Sequence, residues 1–278
     1  MHYREYAPHP ALAPYVACVW AARAPGGPHT HRVLPDNCVD ILWQDGGQDG
    51  FAVGMMSSAI LVASGRPVRT LAVRFKPGMA GLFLPTPLHV LTDQRADIGQ
   101  LWGRGDAERL ADALWTSEAP ERVQLAIIER ELLRRLRAAG GVSARPGGRS
   151  AAGDGLGARG PGPAPGGCAG LGGPLVQQAL AMLEGSGGEV RVEALAAQLG
   201  VSRQHLAAQF REHVGLSPKL YARICRFRRA TAALKTAPDG AQLALACGYF
   251  DQSHMIHDFQ ELAGTTPERF HFSNPAAA

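Results

Sequence analysis

No run of 18 apolar residues occurs in the 278-residue sequence, so no membrane-spanning helix is expected. No CxxC pair occurs either. The five cysteines, Cys18, Cys38, Cys168, Cys225 and Cys247, are odd in number and widely spaced, which supports neither a disulfide scaffold nor a structural zinc site. The opening MHYREYAPHP lacks the charged-then-apolar build of a secretory signal. The expected location is therefore cytoplasmic, with reduced thiols. A large charge excess is missing as well: 28 Lys+Arg face 24 Asp+Glu, a net +4 that permits a nucleic-acid partner without demanding one. Finally, there is no Gly-rich phosphate loop, nucleophile elbow, HExxH or pair of catalytic carboxylates. No catalytic residue is expected, and the enzyme class is set aside.

Glycine is plentiful, at 34 residues, and its placement divides the chain. Residues 140–173, GGVSARPGGRSAAGDGLGARGPGPAPGGCAGLGG, hold 14 of the 34 together with four prolines and almost nothing large and apolar. Such a segment buries too little surface to offset its ordering entropy, so it reads as a flexible linker, roughly 30–35 Å across as a random coil. On that reading residues 1–139 and 174–278 are separate domains.

The second half repeats itself. Ser202-Arg203-Gln204-His205-Leu206-Ala207-Ala208-Gln209-Phe210 aligns, 49 residues on, with Asp251-Gln252-Ser253-His254-Met255-Ile256-His257-Asp258-Phe259. Gly215 then matches Gly264, and Pro218 matches Pro267. Each copy has a short Ala/Leu helix, a glycine suited to a left-handed helix end, an N-cap (Ser202 or Asp251), and a second amphipathic helix. This is the pattern of a helix-turn-helix. Leu206/Phe210 and Met255/Phe259 recur at i, i+4 as core, which leaves the other faces outward. His205 and His254, at equivalent positions beside that core, are read as packing or backbone-bonded residues. Cys225 and Cys247 are read as buried, inert thiols. Between the copies, PKLYARICRFRRATAALK predicts a helix about 25 Å long. It carries Lys219, Arg223, Arg226, Arg228, Arg229 and Lys235 and no acidic residue. Two recognition helices held on such a spacer fit successive major grooves about 34 Å apart.

These residues resemble the DNA-binding domain of AraC/XylS-type transcriptional regulators. The resemblance rests on LAAQLGVSRQHLAAQFREHVGLSPKLY, on R-x-x-R-A within RFRRATAAL, and above all on GYFDQSH followed by F and G-x-T-P. It implies an all-α domain over 174–278, with a first helix-turn-helix at about 192–215, a linking helix at about 218–235 and a second helix-turn-helix at about 241–264. The implied DNA-binding residues are Arg203, Gln204, Ala207, Ala208, Arg211 and Arg223, with Gln252, Ser253 and His257 in the second unit. Gln204, Ala208 and His257 stand where many relatives have arginine, which removes bidentate arginine–guanine contacts there. Arg203, Arg211 and the linking-helix arginines would contact phosphate, although Arg226, Arg228 or Arg229 could instead pair with Glu212 or Asp258.

Residues 1–139 read as an α+β unit: a small antiparallel sheet or cupin-like barrel plus helices. Strands are expected at 31–36, 38–43, 50–55, 60–64 and 69–75, and helices at 77–84, 96–102, 106–116 and 119–138. The last helix carries an apolar stripe of Val123, Ala126, Ile127, Leu132, Leu133 and Leu136, suited to packing or to a dimer seam. YREYAPHPALAPYVACVW, RVLPDNCVDILW and LAVRFKPGMAGLFL resemble the N-terminal sensory domain of a subgroup of AraC-like regulators. Asp36, Asp40 and Arg74, set among apolar strand residues, could line a ligand cavity or form an internal salt bridge or turn cap. His29, His31 and Cys38 lie close together, but HTHR sits in a Gly/Pro-rich stretch read as loop, so no metal is expected. A methyl-accepting role for Cys38 would need a four-cysteine zinc site that this half cannot build.

The expected function is a sequence-specific DNA-binding transcription regulator controlled through its N-terminal domain, with no cofactor. Its partner is double-stranded promoter DNA. The resemblance also admits a small-molecule effector, RNA polymerase and a homodimer, and implies no membrane partner. The competing reading is a protein-interaction module that uses the helix-turn-helix units without reading DNA.

Overall fold

The structure is a computed structural model that describes residues 2–27, 29–46, 50–116, 119–141, 173–234 and 239–273. All but the ends of the glycine-rich segment 140–173 lies outside these. Eight strands open the chain: β1 (His2–Tyr6), β2 (Val16–Ala24), β3 (His29–Val33), β4 (Val39–Gln44), β5 (Phe51–Val53), β6 (Ile60–Ser64), β7 (Val68–Phe75) and β8 (Arg95–Asp97). Six of them form an open antiparallel sheet in the order β1-β2-β7-β4-β5-β8, while β3 and β6 pair apart as a two-stranded ribbon. Helices α1 (Ile98–Trp102), α2 (Arg104–Trp115) and α3 (Glu121–Gly141) follow.

Strand alternation sorts the sheet's two faces. In β4, Val39, Ile41 and Trp43 turn to the main core with Leu71, Val73 and Phe75 of β7. The other face carries a smaller cluster of Cys18, Trp20, Ala22 and Ala72. On it Arg74 donates to both Asp40 oxygens at 3.1 Å and pairs with Asp36 at 3.2 Å, while Asp36 also caps the backbone N–H of Cys38. These three residues therefore make an internal ion-pair cluster and a turn cap.

Four expectations are corrected. β1 and β2 lie outside the expected strands. VACVWAARA is buried on both faces for most of its length, so it shows no alternation, and alanine is a poor strand signal. Segment 77–84 makes only a 3-10 turn at Ala80–Leu82, because Gly78 takes a left-handed φ of 74° and Pro85 follows. His29 and His31 lie in β3, paired with β6, and not in a loop. In α3 the buried stripe is Leu125, Ile128 and Leu132, with Val123 and Ala126 exposed. Gln124 goes inward, taking the Leu114 carbonyl and Arg69, which rotates the helix from the stripe read off its sequence.

The remaining helices are α4 (Pro174–Gly185), α5 (Val192–Gln198), α6 (Arg203–His213), α7 (Pro218–Ala233), α8 (Gly240–Ala246), α9 (Gln252–Ala263) and α10 (Pro267–Ser273). The helical half packs directly on the sheet half, and one continuous apolar core runs through both. Among the described residues, hydrogen bonds from Thr92, Ala59 and Asn37 cross between them. Thr92 Oγ1 donates to the Gly215 carbonyl at 2.6 Å, and the Ala59 N–H donates to the Leu262 carbonyl at 2.8 Å. Asn37, 1% exposed and left-handed at φ 63°, donates through Nδ2 to the Tyr221 carbonyl and to Cys225 Sγ of α7. Asparagine suits this place twice, since it tolerates the left-handed region and supplies the buried donor. Asn37→Ala should cost about 2 kcal/mol through both losses, read as a lower urea midpoint at constant slope. Asn37→Gly, which keeps the backbone at ease, should cost measurably less.

Candidate nucleic-acid interface

Each helix-turn-helix copy is built by its caps. Gly200 and Gly248 end α5 and α8 at φ 67° and 79°, and Gly215 and Gly264 end the longer helices at φ 97° and 67°. Ser202 Oγ accepts the His205 N–H at 3.1 Å, and Asp251 Oδ1 accepts the His254 N–H at 2.8 Å. The repeated histidines thus lie at the capped backbone positions, and the His254 ring also meets Tyr249 edge to face. Leu206, Phe210, Met255 and Phe259 are buried, so the opposite faces of α6 and α9 turn outward.

On α6, Arg203, Gln204, Ala208 and Arg211 are exposed and Ala207 is half-buried; on α9, Gln252, Ser253 and His257 are exposed. Arg203 is not free, because its guanidinium pairs with Glu193 of α5 at 3.0 Å. His257 Nε2 stands 3.4 Å from Glu261.

Arg223 is placed differently from the rest. It is mostly covered, donates to Asp258 Oδ1 at 2.6 Å and also pairs with Glu261. Two neighbours on α7 are likewise committed: Arg226 donates to the Gly188 carbonyl at 2.5 Å, and Arg229 reaches Glu189 at 2.7 Å and the Ala246 carbonyl at 2.8 Å. The basic run on the linking helix is therefore not an uncompensated stripe. Three of its cations fasten α7 to the α4–α5 turn, to the end of α8 and to α9, while Lys219 and Arg228 stay exposed. Asp258, Glu261 and His257 also bring ligand-type atoms within 4.8 Å of one another, but the Arg223 guanidinium already occupies both carboxylates.

An open groove of about 1050 Å³ runs between α5, α6 and α7. The N-termini of α6 and α7 both open into it, capped by Ser202 and Ser217. Its walls carry Arg191, Arg203, Gln204 and Lys219, together with Glu193, paired with Arg203, and Glu189, paired with Arg229. Helix N-termini and cations are what a phosphate needs. Arg191 escapes sequence reading because it is a lone base ahead of α5, outside any repeat.

Residues 195–271 match a family model described as "Helix-turn-helix domain", and residues 4–97 match one described as "Domain of unknown function (DUF6597)". No curated protein matches the chain. Among solved structures it is similar to an AraC-type DNA-binding-domain transcriptional regulator from Chromobacterium violaceum, 24% identical, covering 38% of this chain and 96% of that one, TM-score 0.34. A probable AraC family transcriptional regulator from Rhodopseudomonas palustris CGA009 is 25% identical over 36% of this chain and 98% of its own, TM-score 0.32. ToxT from Vibrio cholerae O395 spans 92% of this chain and 97% of its own at 12% identity, TM-score 0.43.

Removing Arg223 leaves the Asp258 carboxylate, 1% exposed, without its cation. Arg223→Ala should therefore destabilise by about 3 kcal/mol in urea unfolding, whereas the double substitution Arg223→Met with Asp258→Leu should recover most of that loss.

Proposed function

We propose that this chain, whose residues 195–271 are a helix-turn-helix domain of the AraC type, is a sequence-specific transcription regulator that sets α6 and α9 into adjacent major grooves of one DNA face. The observation that carries this reading is the pair of capped helices with exposed polar first turns, held on one 16-residue linking helix by partly covered arginine struts. At about 1.5 Å per residue that helix is about 24 Å long, the right order for units one DNA turn apart once their own widths are added.

Within this reading the roles divide. Arg203, Gln204, Ala207 and Ala208 face bases from α6, with Gln204 suited to adenine or to phosphate. Arg211, Lys219 and Arg191 hold phosphate. Gln252, Ser253 and His257 face the second groove, and Arg223 acts as an internal strut. Control runs through residues 1–139, where an effector would act. Because that half docks on α7 through Asn37, a change in the sheet reaches the linking helix directly, without tension in segment 140–173.

An electrophoretic shift with the protein's own promoter region tests the regulator reading, which fails if no salt-dependent, competitor-resistant complex forms. Arg211→Ala and Lys219→Ala should each weaken binding to all sequences alike and lower the slope of log K against log salt by about one. If DNA affinity were untouched by changes at Gln204 and His257, the two helices would serve a protein partner instead. Replacing residues 142–172 with an equally long Gly/Ser chain should leave operator affinity within about twofold, since the two halves hold each other through Asn37, Thr92 and Ala59.

A further inference from the structure

The second helix-turn-helix differs chemically from the first: no lysine or arginine occurs from Asp239 to Ala263. The outward side of α9 offers Gln252, Ser253, His257 and Gln260, with Ile256 half-exposed. Guanine is most often read by a bidentate arginine or lysine, and this surface has neither.

What it has instead is Phe250, 85% exposed, the most exposed large apolar side chain among the described residues. Phe250 precedes Asp251, the cap of α9, so it projects beside the first turn of the recognition helix. Its place is fixed and not a matter of loop freedom. Gly248 takes φ 79°, the Tyr249 N–H donates to the Ala244 carbonyl at 2.9 Å, and Asp251 closes the cap on His254. Tyr249, the residue before it, turns fully inward. The turn thus spends one aromatic on the core and holds the next one out at the end of the helix that meets base edges.

We propose that Phe250 is a specificity-determining residue that packs on a thymine C5-methyl in the major groove, and that the second unit reads A·T pairs, with Gln252 directed to adenine and Ile256 adding apolar surface. The proposal rests on the regulator reading above and deepens it. Its chemistry is simple: thymine carries the one apolar group on the major-groove edge, phenylalanine is a side chain that contacts it, and glutamine pairs bidentately with adenine N6 and N7.

The test starts from DNA selected by the full chain out of a randomised duplex pool. Each thymine in the half bound by the second unit is then replaced singly by deoxyuridine, which removes only the methyl, and affinities are compared by competition shift. Wild-type protein should lose about fourfold at one thymine, the worth of one buried carbon. Phe250→Ala should bind the thymine and uracil duplexes alike, and Phe250→Leu should regain part of the discrimination. The side chain is exposed, so neither variant threatens folding. An undiminished uracil penalty in Phe250→Ala overturns the proposal while leaving the regulator reading intact. So does a selected sequence unchanged by that substitution, in which case lost activation in a reconstituted transcription assay would assign Phe250 to a protein contact. If the wild-type chain selects no DNA at all, both readings fall together.

Discussion

The pairing of Arg223 with Asp258 is the constraint on which the rest of the DNA-facing surface depends. A carboxylate 1% exposed on a recognition helix is costly alone, and only a guanidinium from the linking helix makes the position tenable. That requirement sets the rotation of α9 against α7. Arg226 and Arg229 do the same at the other end, gripping the Gly188–Glu189 turn and the C-terminal carbonyl of Ala246, where a cation also complements the helix dipole. The turn can come so close only because Gly188 has no Cβ, which would stand 2.1 Å from the Ala222 carbonyl oxygen. Basic residues that look like a nucleic-acid stripe in sequence are thus partly the fasteners that make two small helical units one rigid reader.

The same helix receives the sheet half. Asn37 meets α7 at the Tyr221 carbonyl and Cys225 Sγ, which bracket Arg223 in sequence, while Asp36 beside it pairs with Arg74, itself bound to Asp40 on the sheet. Thr92 holds the end of α6 through Gly215, and Ala59 holds the end of α9 through Leu262. Both recognition helices are therefore braced at their C-terminal ends by the sheet half, and their first turns are left outward. Docking of this kind does not cover the DNA-facing residues.

Local chemistry made the helical half legible. A left-handed glycine, a cap and an i, i+4 apolar pair recurring 49 residues apart specify a helix-turn-helix without any tertiary information. What could not be read was side-chain commitment. Nothing local distinguishes Arg223, which turns inward, from Lys219 or Arg228, which do not, because the deciding partner, Asp258, lies 35 residues away. In the sheet half the losses have other causes. β2 is buried on both sides and alanine-rich, so the period-2 signal vanishes. α3 is apolar around more than one face, and only the inward hydrogen bonds of Gln124 select its buried stripe. The hydrogen bonds that dock the halves left no trace at all, being made by single residues, Asn37, Thr92 and Ala59, with no pattern between them.

The distribution of charge across the two units gives the interface a direction. Four exposed cations, Arg191, Arg203, Arg211 and Lys219, belong to the first unit and the start of α7, where two helix N-termini also open into one groove; Arg228 and Arg269 are exposed farther along, outside α8 and α9. The second unit has no such cation between Asp239 and Ala263. Phosphate attraction is long-ranged and indifferent to sequence, whereas apolar and amide contacts act only at contact and only on the right base edge. On the proposed function, the first unit would draw the chain to the duplex and orient it, and the second would test the adjoining groove at little electrostatic gain. Discrimination in a second groove would then rest on close fit, so the bracing by Arg223, Arg226 and Arg229 bears most on the unit that carries the least charge.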